Sequence, residues 1–291
     1  MPEARTVAEV QAAIERLWPP AGAEPWDVPG LVSGAAGAAI ERIRLVVDVT
    51  AETVADAIEH RADLLLAHHP LLLRGVTTVR ESSYRGAMLA RLIRSGIALV
   101  SAHTNADVVA TGTSAVLAER LGLEAVRPIV GGPGGDAGGG ADGGTTTGLG
   151  RVGVLPEPTA LGSLAGRLGD ILPATAGGVR VAGEFDRPVR TVALCAGAGD
   201  SLLEHPAVLA ADVYVTSDLR HHPASAAIEL ARLGGGPALV DVSHWASEWL
   251  WLDRAAAELR AALPGVEATV SDVRTDPWDF VVVPATGEAA S

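Results

Sequence analysis

The apolar positions of this chain fall into two alternating patterns. Val7, Val10, Ile14 and Leu17 recur at helical spacing and predict an amphipathic helix that opens the fold. From about residue 43 short apolar runs, read as strands, alternate with helical stretches. IRLVVDV is followed by the helix TAETVADAIEHR, with Thr50 or Thr53 near its N-cap, and then by ADLLLA. A helix around Tyr84 to Arg94, the strand IALVSA and a helix GTSAVLAERLG ending at Gly122 complete the first half. The second half repeats the order. VRTVALC leads to a helix from about Ser201 to Leu209, and ADVYVTS to the helix ASAAIELARLG. PALVDVS then leads to a long helix beginning near Trp245. Before these, LGRVGVL and GGVRVAG flank a helix from about Thr159 to Leu172. VEATVSD and WDFVVVP read as closing strands, and the final TGEAAS should fray.

Such alternation predicts an α/β fold of two related lobes with mainly parallel or mixed sheets and a metal site in the cleft between them. Residues 1–127 form the first expected lobe and 149–291 the second, which includes a C-terminal helix bearing metal ligands. Between them 128–148 contains GGPGGDAGGGADGGTTTG, read as a flexible surface loop. A phosphate-cradling role is disfavoured, because phosphate loops join a strand to a helix and no helix follows here.

Chemistry enters through a repeated arrangement. Residues 63–70 read DLLLAHHP and 98–107 read ALVSAHTNAD; downstream, 212–223 read DVYVTSDLRHHP and 238–248 read ALVDVSHWASE. In each half a strand leads to His-His-Pro, and a later strand ends in a His with an acid four residues on. His68 and His69 sit at a strand end that Pro70 terminates, where a turn can bring both imidazoles toward one cavity. His103 and Asp107 follow the next strand, at the edge where open α/β sheets place their ligands. Asp107 is read as a ligand in preference to a helix cap, and His103 as a group that touches substrate or supports a ligand. His244 and Glu248 share one helix face if the helix starts near Trp245. His221 and His222 occupy the repeat position of the first His pair; either substrate-contacting or ordinary surface histidines fit that place.

His68, His69, Asp107, His244 and Glu248 exceed the three protein ligands that a single catalytic zinc needs. Two carboxylates among five groups suit two divalent ions about 3.5–4 Å apart, which lower a bound water's pKa toward about 7. Zinc, iron, manganese, cobalt and nickel all accept such mixed ligands. The chemistry is hydrolytic, with His103 and His222 as candidate proton carriers.

Composition narrows the alternatives. All 22 basic residues are arginine, which removes lysine-based catalysis and the P-loop. The single cysteine, Cys195, lies in an apolar run and reads as packing. A net charge of −13 opposes broad contact with nucleic acid. Charges interrupt every apolar run well short of the roughly 18–20 residues of a membrane span. The first residues lack a signal-peptide pattern, so cytoplasmic residence is expected.

Together, EPWDVPGLVSG, HHP, AHTNAD and SHWASE resemble the motifs of the Nif-three-like family, also known as GTP cyclohydrolase I type 2 homologues. The resemblance implies an α/β protein with a dinuclear metal centre, assembled as a toroidal homohexamer. It implies His68, His69, Asp107, His244 and Glu248 as the ligands, the same set reached from the residues themselves. Val28 stands where the family has Asn after Trp-Asp, and Thr216-Ser217-Asp218 where it has Thr-Gly-Glu. The expected function is therefore a metal-dependent hydrolase of a small-molecule substrate, of which GTP ring opening is the reaction the family label implies. The alternative is a non-catalytic metal-binding, chaperone or scaffold protein that forms a ring.

Overall fold

The first-half strands pair side by side in a five-stranded sheet ordered Glu267–Val270, Arg42–Val46, Leu64–Ala67, Ala98–Ser101 and Gly30–Ser33. The first four are parallel, and Gly30–Ser33 closes the edge antiparallel to Ala98–Ser101. A second sheet of six strands runs Arg180–Ala182, Ala238–Val242, Val213–Ser217, Pro188–Ala198, Arg151–Ala160 and Glu124–Arg127. Its three central strands, from Pro188–Ala198 to Ala238–Val242, are parallel and its flanks antiparallel. The fold is thus α/β with mixed sheets. The computed structural model describes residues 5–132 and 147–283. Sheet membership does not follow chain order: Glu124–Arg127 joins the second sheet, and Glu267–Val270 returns to the first.

The predicted helices form largely where periodicity places them, and local chemistry sets their starts. Thr6 caps the helix Val7–Leu17 in a capping box with Glu9. Thr50 caps Ala51–Glu59, with Thr53 closing the reciprocal bond. Gly122, at φ 65°, ends the turn after the helix Thr113–Arg120. The helix His244–Ala262 is the central element. It packs against Thr113–Arg120, Glu267–Val270 and Pro188–Ala198, so it lies between the sheets. Its apolar residues, Trp251 and Leu250 among them, are buried on nearly every side, as such a position requires. Trp251 meets Trp18 edge to face at 5.0 Å, which ties the opening helix to this core.

Three expectations change. The predicted helix at 201–209 is a 3₁₀ turn, Asp200–Leu202, followed by one turn, Pro206–Leu209. Pro206 cannot donate within a continuous helix and holds His205 extended; the His205 imidazole then caps the second turn by accepting from Ala207 N. The helix expected from ASAAIELARLG starts earlier, at His221, because Pro223 fits a first turn that needs no donor there. The run WDFVVVP joins no sheet through residue 283, and Trp278, Phe280 and Val281–Val283 are exposed. Of the Gly-rich stretch, Val130–Gly131 pairs antiparallel with Gly148–Leu149; residues 133–146 and the terminal TGEAAS lie outside the described residues. Among the described residues no helix is long and apolar enough to cross a membrane.

Candidate metal centre

The carboxyl ends of parallel strands from both sheets converge at the start of the His244–Ala262 helix. His68 and His69 directly follow Leu64–Ala67, and their amides continue toward the neighbouring strand by donating to the carbonyls of Val46 and Val47. Both rings nonetheless reach one cluster, 5.1 Å apart. From the other sheet, Ala238–Val242 ends at Ser243, whose hydroxyl caps the helix carrying His244 and Glu248. His244 and His69 bridge the sheets, with 3.3 Å between their Nε2 atoms.

Glu248 is the hub. One oxygen lies 3.0 Å from His244 Nε2 and 3.5 Å from His68 Nε2; the other lies 2.9 Å from His69 Nε2. Asp107, at the end of the single turn Thr104–Asp107, stands 3.6 Å from His68 Nε2 and accepts a hydrogen bond from Thr113 Oγ1. All five residues expected as ligands therefore come together. His103 joins their edge, its ring 5.4 Å from that of His68. His221 and His222 do not join: they are exposed on the first turn of His221–Arg232 and meet each other edge to face.

A second set of groups, not anticipated from the sequence, fixes how the imidazoles point. His69 Nδ1 bonds Asp48 at 2.7 Å, His244 Nδ1 bonds Asp218 at 2.7 Å, and His68 Nδ1 bonds the Ala102 carbonyl at 2.8 Å. Once a ring is neutral, each acceptor would hold the remaining proton on Nδ1 and leave the Nε2 lone pair facing inward, the arrangement metal-ligating histidines need. Asp48 is the penultimate residue of IRLVVDV and Asp218 ends DVYVTSD; both are acids just past strand ends, the signal that singled out the histidines. Asp218 reaches its place at φ 57°. Gly197 is also required: it has φ 72°, and a Cβ there would lie 2.3 Å from a Glu248 oxygen. Asp27 accepts from the Thr104 amide and hydroxyl and stands 3.0 Å from His103 Nδ1. Val28, by contrast, points to solvent, 85% exposed.

The electrostatics are those of a site built for cations. Burial opposes charge on His69, but Glu248 and Asp48 outweigh it and raise its pKa to about 10. At His244 burial is likewise outweighed, by Glu248 and Asp218, and the pKa rises to about 11. Burial would raise the pKa of Glu248, yet the imidazoles of His244, His69 and His68 hold it well below the carboxylate range. His103 shifts the other way: burial and then His68 lower its pKa. Burial pushes the Cys195 thiol up to about 12, as for an inert packing residue.

The residues fit divalent ions. His68, His69 and Glu248 each offer a ligand atom within 4.8 Å of the others. His68 Nε2 is buried without a hydrogen bond, and Glu248 Oε2 has no well-directed one although His69 is near. Buried lone pairs left this way are costly unless a cation engages them.

One expected result concerns pH. Without metal, the stability that His69 and His244 contribute is complete below their unfolded pKa, near 6.5. It is lost as pH rises toward about 10 and 11. The melting temperature of chelator-treated protein should therefore fall between about pH 7 and 10, while metal affinity rises with pH because binding displaces protons. Calorimetry across that range checks the sign; a melting temperature rising toward pH 10 would contradict it.

An α/β scaffold whose two mixed sheets present a histidine–carboxylate cluster at their strand ends defines the class. Residues 5–277 match the family Duf34/NIF3 (NGG1p interacting factor 3), and the chain belongs to it. A "GTP cyclohydrolase 1 type 2 homolog" of Streptomyces coelicolor is 42% identical over 288 residues, covering 98% of this chain and 97% of the relative. One of the same name from Mycobacterium tuberculosis is 35% identical, covering 94% and 97%. The crystal structure of a Bacillus cereus protein related to NIF3 superposes with a TM-score of 0.84 at 24% identity, covering 96% of this chain and all of that one.

Proposed function

We propose that the protein is a dinuclear metal-dependent hydrolase of small, nucleotide-like molecules. The observation that carries the reading is the inward convergence of three imidazole Nε2 atoms and two carboxylates, with each Nδ1 held from behind. His68, His69, His244, Asp107 and Glu248 would hold two divalent ions, drawn from zinc, iron, manganese, cobalt or nickel. Bound there, such ions supply Lewis-acid activation of water and of a substrate oxygen.

The chain's own groups supply the rest. His103, whose pKa is lowered by burial and by His68, can accept a proton at the edge of the cluster, and Asp27 stands 3.0 Å from its Nδ1. His222 is withdrawn from that role because it sits on the exposed first turn of another helix. The relatives' name supplies GTP as the first substrate to test. A homohexameric ring, implied by the family resemblance, belongs to the same proposal, and a native mass measurement tests it.

Burial of His68 and Glu248 would also suit a closed, non-catalytic metal carrier. Against that, a cavity of about 720 Å³ opens onto His69 and His244, which leaves room for a substrate. Metal-loaded protein should turn over GTP or a member of a nucleotide and phosphoester panel, and His68→Ala should lose that turnover. Tight metal binding with no rate effect, or turnover that survives His68→Ala, rejects the hydrolase reading.

A further inference from the structure

The cavity that opens onto His69 and His244 has a second wall with a different chemistry. Trp278, Phe280 and Tyr84 supply aromatic surface to it, and Arg180, Asp241 and Asp276 its outer polar groups. Trp278 and Phe280 are 67% and 79% exposed, so they are not core residues. Their segment is nonetheless fastened to the candidate metal centre at two points. Thr275 Oγ1 donates to Asp48, the carboxylate behind His69, at 2.5 Å. Ser243 Oγ, the cap of the helix that begins at His244, donates to Asp276 at 2.6 Å, and Asp276 also accepts from Trp278 N at 3.2 Å. The backbone that carries Trp278 is thus fastened beside the candidate metal centre, and Trp278 and Phe280 line the cavity. Aromatic surface facing a roomy, partly apolar pocket is what a flat ligand needs.

Charge narrows the ligand further. Four carboxylates line the cavity, those of Asp48, Asp218, Asp241 and Asp276, against the guanidinium of Arg180 and the imidazoles of His69 and His244, and of the four only Asp276 has no cationic partner among these lining residues. That guanidinium is already engaged by Asp241. A polyanion entering beside Asp276 meets repulsion, whereas an N–H group meets an acceptor, because a carboxylate oxygen holding one hydrogen bond can accept another. We infer that this wall binds a flat nitrogen heterocycle, uncharged or cationic, stacked on Trp278 or Phe280 with an N–H edge toward Asp276. The inference rests on the hydrolase reading for its biological sense and narrows the substrate to the heterocyclic part of a nucleotide-like molecule. A polyphosphate tail gains nothing from this wall.

The test is calorimetric titration of the full chain, stripped of metal with a chelator, with guanosine, adenosine and cytidine, and separately with GTP. Using stripped protein separates this inference from the metal centre, which is judged by metal content alone. At least one nucleoside should bind, and GTP should bind more weakly than guanosine. Trp278→Ala should weaken nucleoside binding about tenfold or more, as loss of base–aromatic stacking does. Asp276→Asn should weaken it in the same direction. Leu233→Ala, at an exposed position after the His221–Arg232 helix, should change nothing. Unaltered circular dichroism spectra establish that the variants fold. The inference is overturned if no nucleoside binds at millimolar concentration, if Trp278→Ala binds like the parent, or if GTP binds more tightly than guanosine.

Discussion

Replacing Glu248 with Gln should empty the centre of metal and abolish turnover. Among the described residues no other carboxylate reaches three imidazoles: Glu248 stands 3.0, 3.5 and 2.9 Å from the Nε2 atoms of His244, His68 and His69. Gln keeps the shape but removes the charge, and it presents an amide N–H₂ where one oxygen had been. A cation held between the histidines then loses its buried counter-charge and one or two donors. Loss of a group that only supports a ligand costs roughly 10–100-fold in metal affinity or activity, and loss of the ligand itself should exceed that. In the metal-free protein the pKa values of His69 and His244 should fall, since Glu248 is the largest influence raising both. Metal content and imidazole titration by NMR check the two halves of the prediction. Metal retained in full by Glu248→Gln would remove Glu248 from the ligand set.

The next largest effect is expected from a residue with no side chain. At φ 72°, Gly197 has a backbone that costs an L-residue roughly 1–2 kcal/mol. Its position adds a steric conflict, because a Cβ would stand 2.3 Å from Glu248 Oε1 and 3.3 Å from His244 Nε2. The glycine has little room to retreat: its amide donates to Ser247 Oγ, and its carbonyl accepts from Thr216 Oγ1. Gly197→Ala should therefore push the carboxylate off its position, lower metal affinity by more than about tenfold and reduce the melting temperature. Metal titration beside thermal unfolding measures both. Unchanged metal affinity would mean that Glu248 can shift freely without harm to the centre.

The convergence of the candidate ligand histidines was legible because each follows an apolar strand, and the ends of parallel strands are where such folds gather their chemistry. His244 and Glu248 were legible from their spacing on a single helix face. The two His-His-Pro strings show where that legibility stops. After Leu64–Ala67 the chain stays in register with Val46 and Val47, so His68 and His69 enter the centre. After Val213–Ser217, Asp218 turns the chain at a left-handed φ, and Pro223 is taken into the first turn of a helix, so His221 and His222 face solvent. Identical residues thus meet different fates through backbone conformation one to four positions away. Asp48 and Asp218 escaped notice for another reason. Their role is to orient imidazoles contributed by other strands, and that pairing exists only once the sheets are assembled. The exposed run at 278–283 has strand-like side chains but pairs with no strand among the described residues, and composition alone does not disclose that.

The central claim is that the five converging side chains hold two divalent ions. The most direct measurement is the metal-to-chain ratio, obtained by elemental analysis of protein purified without chelators, beside Glu248→Gln prepared in the same way. A ratio near two in the parent and near zero in the variant is the expected result. A parent ratio near zero, or equal ratios in the two proteins, would contradict the account.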